Sequence, residues 1–579
     1  MSIAPPAAGV PRWRQRLRPV EVTMLAVVLV YLWLVSNQAM TALGPAGHDD
    51  HLYLNMAKSL ASGRWLGSYG NLTLAKGPFY SFFIAASFVL GIPLFLSQHV
   101  LYALACGVLV AALSPLLPRA TERVALFVVL LFNPATFAGG VWTRAIREGI
   151  YPSLTLLVLS CAVAIAVRAD RRLREQWRWA AGLAASLAAL WLCREERVWI
   201  VPPLFLIGGW AFVRSTSRRE LLLLSGCALA LFAALVGSVV LKNWWHYGLP
   251  VITEFTEGPF PGAYAALGRV RHLSERPKIP LPEETRLRLY GVSPAFAELK
   301  PFMEGEIGRG WSVPGCNEAG ICGDIAAGWL MWALRDAAAA AGHYRDAREA
   351  ARFWREVRTQ VADACQDGRI ACGGLSAGFL PPLRWQNLAS FPAAFARGSY
   401  SVASFNLVTG AHPSPSMGPE WLLVDFRDLT RERLEPMPGG SEPKVPLQEH
   451  LAGQQERILD GIITAYHRVT PVAVCAALGA LLFATILSTR LRRTQRLLVV
   501  SGLFLVAAAT RIAFLTLVSV TTFPALSAGY LSPAYPLLLC FAVLALALGI
   551  ESILILVNTR PSPAADLDEA QGSRSAGRT

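Results

Sequence analysis

VEVTMLAVVLVYLWLVSNQAMTALGPAGHDDHLYLNMAKSLASGRW (20–65) carries the chain from a long apolar run straight into four adjacent titratable groups, His48, Asp49, Asp50 and His51. About 20 consecutive apolar residues suffice to cross the hydrocarbon core of a bilayer. The basic stretch RWRQRLR (12–18) precedes the run, and Lys/Arg clusters mark the cytoplasmic flank of a membrane helix. No small-residue cleavage site follows, so the run reads as a retained anchor rather than a signal peptide. The four charged groups are then the first residues to emerge on the far side.

The rest of the chain repeats this alternation. Of 579 residues, 54% are hydrophobic and only 16% charged, against about 25% charged in soluble domains. The net charge of +14 sits in short clusters between apolar runs, which is the pattern of membrane orientation and not of nucleic-acid binding. Apolar segments fall at 20–42, 78–96, 98–117, 122–140, 150–167, 179–193, 198–213, 220–241, 467–488, 497–520 and 533–555. If 78–96, interrupted by Gly91-Ile92-Pro93, is interfacial or re-entrant, ten crossings remain. Every basic cluster (12–18, 119–123, 168–178, 214–219, 490–496) then lies on one side. The expected architecture is an α-helical polytopic membrane protein of about ten spans plus that one segment. Its parts are a cytoplasmic N-terminus (1–19), an N-terminal membrane module (20–249), an extracytoplasmic mainly helical domain (250–465), C-terminal membrane helices (466–557) and a cytoplasmic tail (558–579).

This topology gathers the loops carrying Asp49, Glu148, Arg194 and Tyr530 on the outer side. Segments 179–193 and 198–213 are short, because fifteen helical residues span only about 22 Å. Arg194, Glu195, Glu196 and Arg197 therefore lie at headgroup depth or in a polar cavity, where ionisable groups are costly and suggest function. A self-neutralising salt-bridge cluster is the alternative. In the external stretch, 328–365 has helical periodicity with a break near Gly342. Cys316, Cys322, Cys365 and Cys372 face an oxidising side and predict two disulfides, the local pairing being preferred. A zinc site is the rival reading.

Asp49, Tyr53 and Ala57 are spaced by four and share one helix face. The same loop ends with Lys76-Gly77-Pro78. A carboxylate can act as general base toward a hydroxyl, and a cation can hold a phosphate leaving group. Helix capping is the competing role for Asp49. The four residues His48–His51 cannot converge on one metal from a helix, since neighbours point in different directions. Asp49 with distant partners is left as the open route to a divalent cation, and no other cofactor is called for.

The pattern Asp49-Asp50-x-x-Tyr53-x-x-x-Ala57-x-x-Leu60-x-x-Gly63, followed by Lys76-Gly-Pro-Phe-Tyr80, resembles the first external loop of GT-C glycosyltransferases. It is closest to the protein O-mannosyltransferase and aminoarabinose transferase superfamily. RAIREGIYPSLTLLVL (144–159) resembles the second loop, with Glu148 where an Asp is usual. LWLCREERVWIVPPL (190–204) resembles the basic residue ahead of a Pro-containing helix. GYLSPAYPLLL (529–539) resembles a late Arg-Tyr-Leu-x-Pro-x-Tyr-Pro segment with Gly529 in place of the Arg, for which Arg511 could compensate. The external domain matches no family pattern.

The resemblance implies an inverting hexosyl- or pentosyltransferase on the outer face of a bacterial cytoplasmic membrane. It would use a polyprenyl-phosphate sugar and an envelope glycan, lipid or protein acceptor. It casts Asp49, Asp50 and Glu148 as catalytic, Lys76, Arg144, Arg194 and Arg511 as holders of the donor phosphate, and Tyr53, Glu195 and Tyr530 as orienting groups. A transporter of lipid-linked glycans, or a non-catalytic protein whose external domain binds a partner, are the alternatives.

Overall fold

The computed structural model describes residues 19–273, 276–374, 379, 385–435, 446–487 and 492–558. The expected N-terminal and C-terminal cytoplasmic segments lie almost wholly outside these. The chain is an α-helical polytopic membrane protein, with isolated bridges but no strand among the described residues. Helices α1 (Pro19–Val35), α2 (Asp50–Ala61), α3 (Phe79–Val89), α4 (Leu94–Leu113), α5 (Ala120–Leu131), α6 (Tyr151–Val167), α7 (Leu173–Cys193), α8 (Val201–Arg214) and α9 (Arg218–Tyr247) come first. After the external part follow α10 (Pro446–Leu487), α11 (Arg492–Thr521) and α12 (Ala534–Asn558).

Seven described helices are long and apolar enough to span a membrane, and an eighth span results if α5 and the turn 134–143 count together across their 57° bend. Asn133-Pro134 causes that bend: the proline cannot donate into the helix ladder, and Asn133 instead caps the following turn through Ala135 N–H. α1 is a shorter apolar helix and α7 carries charge in its first turns. Neither is among the helices long and apolar enough to be counted as a span, so the described residues carry seven or eight such spans where ten were expected. α3 does not join them. It stops after eleven residues, where Gly91 takes a left-handed backbone (φ +72°) and Pro93 is extended, and the chain turns back into α4 on the same side.

Side-chain contacts fix the two ends. At one, Arg168 donates to the carbonyls of Ala111 and Ala112 at the end of α4, while Asp170 takes both Arg214 and Arg496. Three of the five basic clusters expected to share a side, 168–178, 214–219 and 490–496, meet here through Asp170, and 12–18 lies outside the described residues. At the other end, the loops carrying Asp49, Arg144, Arg194 and Tyr530 converge. Between the ends, α8 and α9 present bare apolar side chains such as Phe205, Val213 and Leu222, with 82%, 77% and 61% of their surface exposed. A lipid-facing helix needs such a surface, because hydrocarbon is its solvent. Trp244 and Trp245, exposed at the end of α9, stand where interfacial aromatics gather.

The part expected to be external, between α9 and α10, is built of short helices among its described residues. The periodic stretch 328–365 forms Ala327–Ala340 and Ala347–Gln366, separated at Gly342, whose φ of +91° suits glycine. Cys316 is bonded to Cys322 and Cys365 to Cys372, so none of the four is left to ligate zinc. The boundary drawn at 465/466 falls inside one continuous helix, since α10 starts at Pro446. Residues 40–44 link the two parts. Met40 N–H donates to the Arg433 carbonyl and Glu435 N–H to the Met40 carbonyl, Thr41 N–H donates to the Thr143 carbonyl, Gly44 N–H donates to the Met417 carbonyl, and Met417 N–H donates to the Ala42 carbonyl. A Cβ at Gly44 would press on Leu422 and on the Met417 carbonyl.

A second link joins the external helix Ala327–Ala340 to the first loop. Arg335 is fully buried; it pairs with Glu254 at 2.8 Å, donates to the Asn71 and Thr73 carbonyls, and lies against the rings of Phe255, Phe260 and Tyr344. A buried guanidinium is tolerated only with such partners, and removing one side of a buried pair costs about 3–5 kcal/mol. The loop ending at Lys76 is thereby held in place from outside.

Candidate functional site

One end of the membrane helices and the short helices between α9 and α10 enclose a cavity of about 750 Å³, within the range of roughly 300–1,000 Å³ typical of small-molecule sites. Asp49 occupies the N-cap position of α2, but its side chain makes no capping hydrogen bond. The carboxylate instead faces the cavity, half exposed there, and bonds the Lys76 ammonium. The capping role is therefore not the one its side chain plays. Arg144 is 3.9 Å from its other oxygen. Burial by itself raises the Asp49 carboxyl, but Lys76, then Arg144 and Arg147, outweigh it and leave the group well below the usual carboxylate range.

Asp50, next in the chain, points the other way. It is wholly buried and takes Arg144 through both oxygens, at 2.5 and 3.2 Å. Burial raises its carboxyl, Arg144 only partly offsets this, and the Asp49 charge adds to the rise. Asp50 does not line the cavity. Its geometry is that of a group that aims Arg144, not one that meets a substrate.

Lys76 reaches Asp49 because Gly77 and Pro78 turn the chain into α3. Gly77 N–H donates to Glu195 at 3.0 Å, and a Cβ there would collide with the Leu192 carbonyl at the end of α7. The Lys76 ammonium also lies 5.4 and 5.5 Å from the ring centres of Tyr53 and Trp332. The Tyr53 hydroxyl is buried at the cavity wall without a hydrogen-bond partner among the described residues. Burial, more than neighbouring charges, drives its phenol well above the ordinary range, so it stays a neutral donor.

The remaining charges form two further chains of ion pairs. Arg147 binds Glu195 at 2.5 Å. Arg194 binds Glu148 at 2.7 Å and Glu196 at 3.1 Å, and Glu196 in turn binds Arg511 at 3.0 Å. Burial opposes ionisation of Glu195 and Glu196, but Arg147 outweighs it for Glu195, whose carboxyl is lowered. Arg194 and Arg511 do the same for Glu196, lowered to about 2. Arg511 also donates to the Tyr530 carbonyl at 2.7 Å, so it does serve the segment where Gly529 stands in place of an arginine. A Cβ at Gly529 would already meet Val141 at 2.9 Å.

The cavity surface sorts the expected residues. Asp49, Tyr53, Lys76, Arg144, Glu148, Glu195 and Tyr530 line it. Arg194 and Arg511 are almost wholly buried behind it, spent on carboxylates. Glu196, expected in a polar cavity with its neighbours, lines it as well; so do two residues the sequence did not point to, Arg147 and Glu318 from the helix Glu306–Ala319. Among the described residues, no three His, Cys, Asp or Glu side chains are placed to hold a metal ion.

No protein-family profile and no curated relative matches the sequence. Solved structures similar to the chain include two of one protein. ArnT from Cupriavidus metallidurans in the apo state matches with a TM-score of 0.31 and 15% identity, covering 92% of this chain and 76% of that one. The same protein bound to undecaprenyl phosphate matches with a TM-score of 0.27 and 12% identity, covering 92% and 77%.

Proposed function

We propose that this protein is a membrane glycosyltransferase that moves a sugar from a polyprenyl-phosphate donor to an acceptor hydroxyl, with inversion at the anomeric carbon. The Asp49–Lys76 pair carries the reading: a base and a phosphate-sized cation meet in a cavity at the outer end of apolar helices. A lipid-linked donor delivers its phosphate to that depth from within the bilayer, which a nucleotide sugar confined to the cytoplasm does not.

The resting pair explains how base and leaving-group grip act in sequence. A donor phosphate entering beside Lys76, Arg144 and Arg147 competes for the Lys76 ammonium. As Lys76 turns to phosphate, Asp49 loses the cation that lowers its pKa most and becomes more basic. Asp49 then takes the proton of the acceptor hydroxyl while the acceptor oxygen bonds to the anomeric carbon. The bond from that carbon to the phosphate oxygen breaks, and its electron pair leaves with the polyprenyl phosphate. Fixed cations aimed at the developing charge stabilise such a transition state without reorganising, each by a few kcal/mol. Arg194 and Arg511 act one step back: they hold Glu148 and Glu196 in the cavity wall. The location in this reading is a bacterial cytoplasmic membrane, with the site on its outer face.

The test is incubation of the purified protein with a polyprenyl-phosphate sugar labelled in the sugar. A glycosyltransferase releases polyprenyl phosphate and transfers label, a transporter moves the donor intact, and a scaffold protein does neither.

A further inference from the structure

The cavity has two unlike walls. One, from the membrane module, carries Lys76, Arg144 and Arg147. The other, from the external part, carries Phe255, Glu318, Trp329, Trp332 and Phe379. Phe255 packs edge-on against Trp332 with ring centres 4.7 Å apart, and Phe379 against Phe255 at 5.5 Å, so these rings form one fixed platform. Neither the Trp329 nor the Trp332 indole N–H has a hydrogen-bond partner among the described residues. The wall thus offers aromatic faces together with donors that still require acceptors.

Glu318 differs from the other acids of the cavity. Asp49, Glu148, Glu195 and Glu196 are each in an ion pair. Glu318 has none among the described residues, although it lines the same space and its carboxyl feels Asp49 and Arg144. It is the next-to-last residue of the helix Glu306–Ala319, whose end is tied to the following loop by the Cys316–Cys322 bond. A carboxylate placed at the cavity and left without a cation has its acceptor capacity available for hydroxyl groups.

We infer that the external part supplies the acceptor subsite, and that the acceptor it takes is a saccharide. A sugar ring has an apolar C–H face for Trp329 and a rim of hydroxyls for Glu318 and the indole N–H groups, while the buried Trp332, with Lys76 over its ring, backs the wall. The reading rests on the glycosyl-transfer assignment, and it deepens it by naming the acceptor class. It also gives the external part a task in the reaction, while Lys76, Arg144 and Arg147 on the opposite wall face the donor phosphate.

The full-length protein in nanodiscs is titrated with methyl glycosides of glucose, galactose, mannose, N-acetylglucosamine and rhamnose, followed by tryptophan fluorescence. A threonine-rich peptide and polyprenyl phosphate are titrated separately. At least one glycoside saturates, and Trp329→Ala and Glu318→Gln each weaken it about tenfold or more, the loss of one good contact. Lys76→Met weakens polyprenyl phosphate instead. Saturation by none of the glycosides, equal glycoside affinity in both external-wall variants, or peptide binding that depends on Trp329 overturns the inference. Loss of polyprenyl-phosphate binding altogether, with glycoside binding intact, strikes the glycosyl-transfer reading and spares the saccharide site.

Discussion

The Lys76 ammonium is bonded to the Asp49 carboxylate, although the two lie 27 residues apart at opposite ends of one loop. The loop closes on itself because α2 and α3 pack together and Gly77 seats against α7 and Glu195. In the proposed reaction this pair is a resting state that the donor phosphate opens.

A pH prediction follows from the pair. Asp49 works ionised, and in the free protein its carboxyl is held below the usual range chiefly by Lys76, against burial. The acid limb of kcat/KM attributable to Asp49 therefore lies below the ordinary carboxylate region in the native protein. In Lys76→Met the lowering cation is gone, so that limb moves to higher pH, alongside a loss of donor affinity. Profiles of the two proteins that share one acid limb would show that Lys76 does not govern Asp49.

Glu196 bridges Arg194 and Arg511 at 3.1 and 3.0 Å. In Glu196→Ala two nearly inaccessible guanidiniums lose a shared partner, and a broken buried pair costs about 3–5 kcal/mol. The expected result is a clear fall in the thermal unfolding midpoint in detergent, with Arg511→Met falling less because it leaves no orphaned cation. Equal stability of Glu196→Ala and the native protein would mean that the bridge is solvated.

Gly77→Ala tests backbone fit separately from charge. Its Cβ would strike the Leu192 carbonyl and would push Gly77 N–H away from Glu195. Transfer falls with the Lys76 position, while the external disulfides and the helix content are retained. Undiminished transfer in this variant would mean that the turn tolerates displacement.

Glu432 gives a pH-dependent stability term away from the site. It accepts the Phe95 N–H at the start of α4, and burial raises its carboxyl from 4.5 to about 7. A raised acid favours the protonated folded state. Its contribution is full below the unfolded value near 4.5 and is lost as pH climbs through about 7. The unfolding midpoint of the native protein should fall across that window relative to Glu432→Gln, and parallel curves for the two proteins would remove Glu432 as the cause.

Much of this was legible in the chain because membrane helices are written as apolar runs and their sides as Arg clusters. The junction of anchor and loop at 47–51 exposed Asp49. The segment read as a short 179–193 is in fact a helix of 21 residues starting at Leu173, so shortness is not what keeps residues 194–197 from bulk water. The ion pairs of Arg194 with Glu148 and Glu196, of Glu195 with Arg147 and of Arg197 with Glu257 hold them. Composition could not tell which charges would face the cavity. Arg144 and Arg147 are three residues apart in an irregular turn, so no helical period separates them, and Arg194 and Arg511 read as phosphate binders until their partners Glu148 and Glu196 were seen. Glu318 had no local signal at all. It sits in a loop-rich external stretch and reaches the cavity only through the packing of that part over the first loop.

The central claim is tested most directly by Asp49→Asn in the labelled-donor assay. The substitution keeps the size of the side chain and removes its capacity to take a proton. Transfer should fall by about two to four orders of magnitude, the usual scale for a general base, with binding of polyprenyl phosphate retained. Full transfer by Asp49→Asn, or intact donor after incubation with the native protein, would contradict the account.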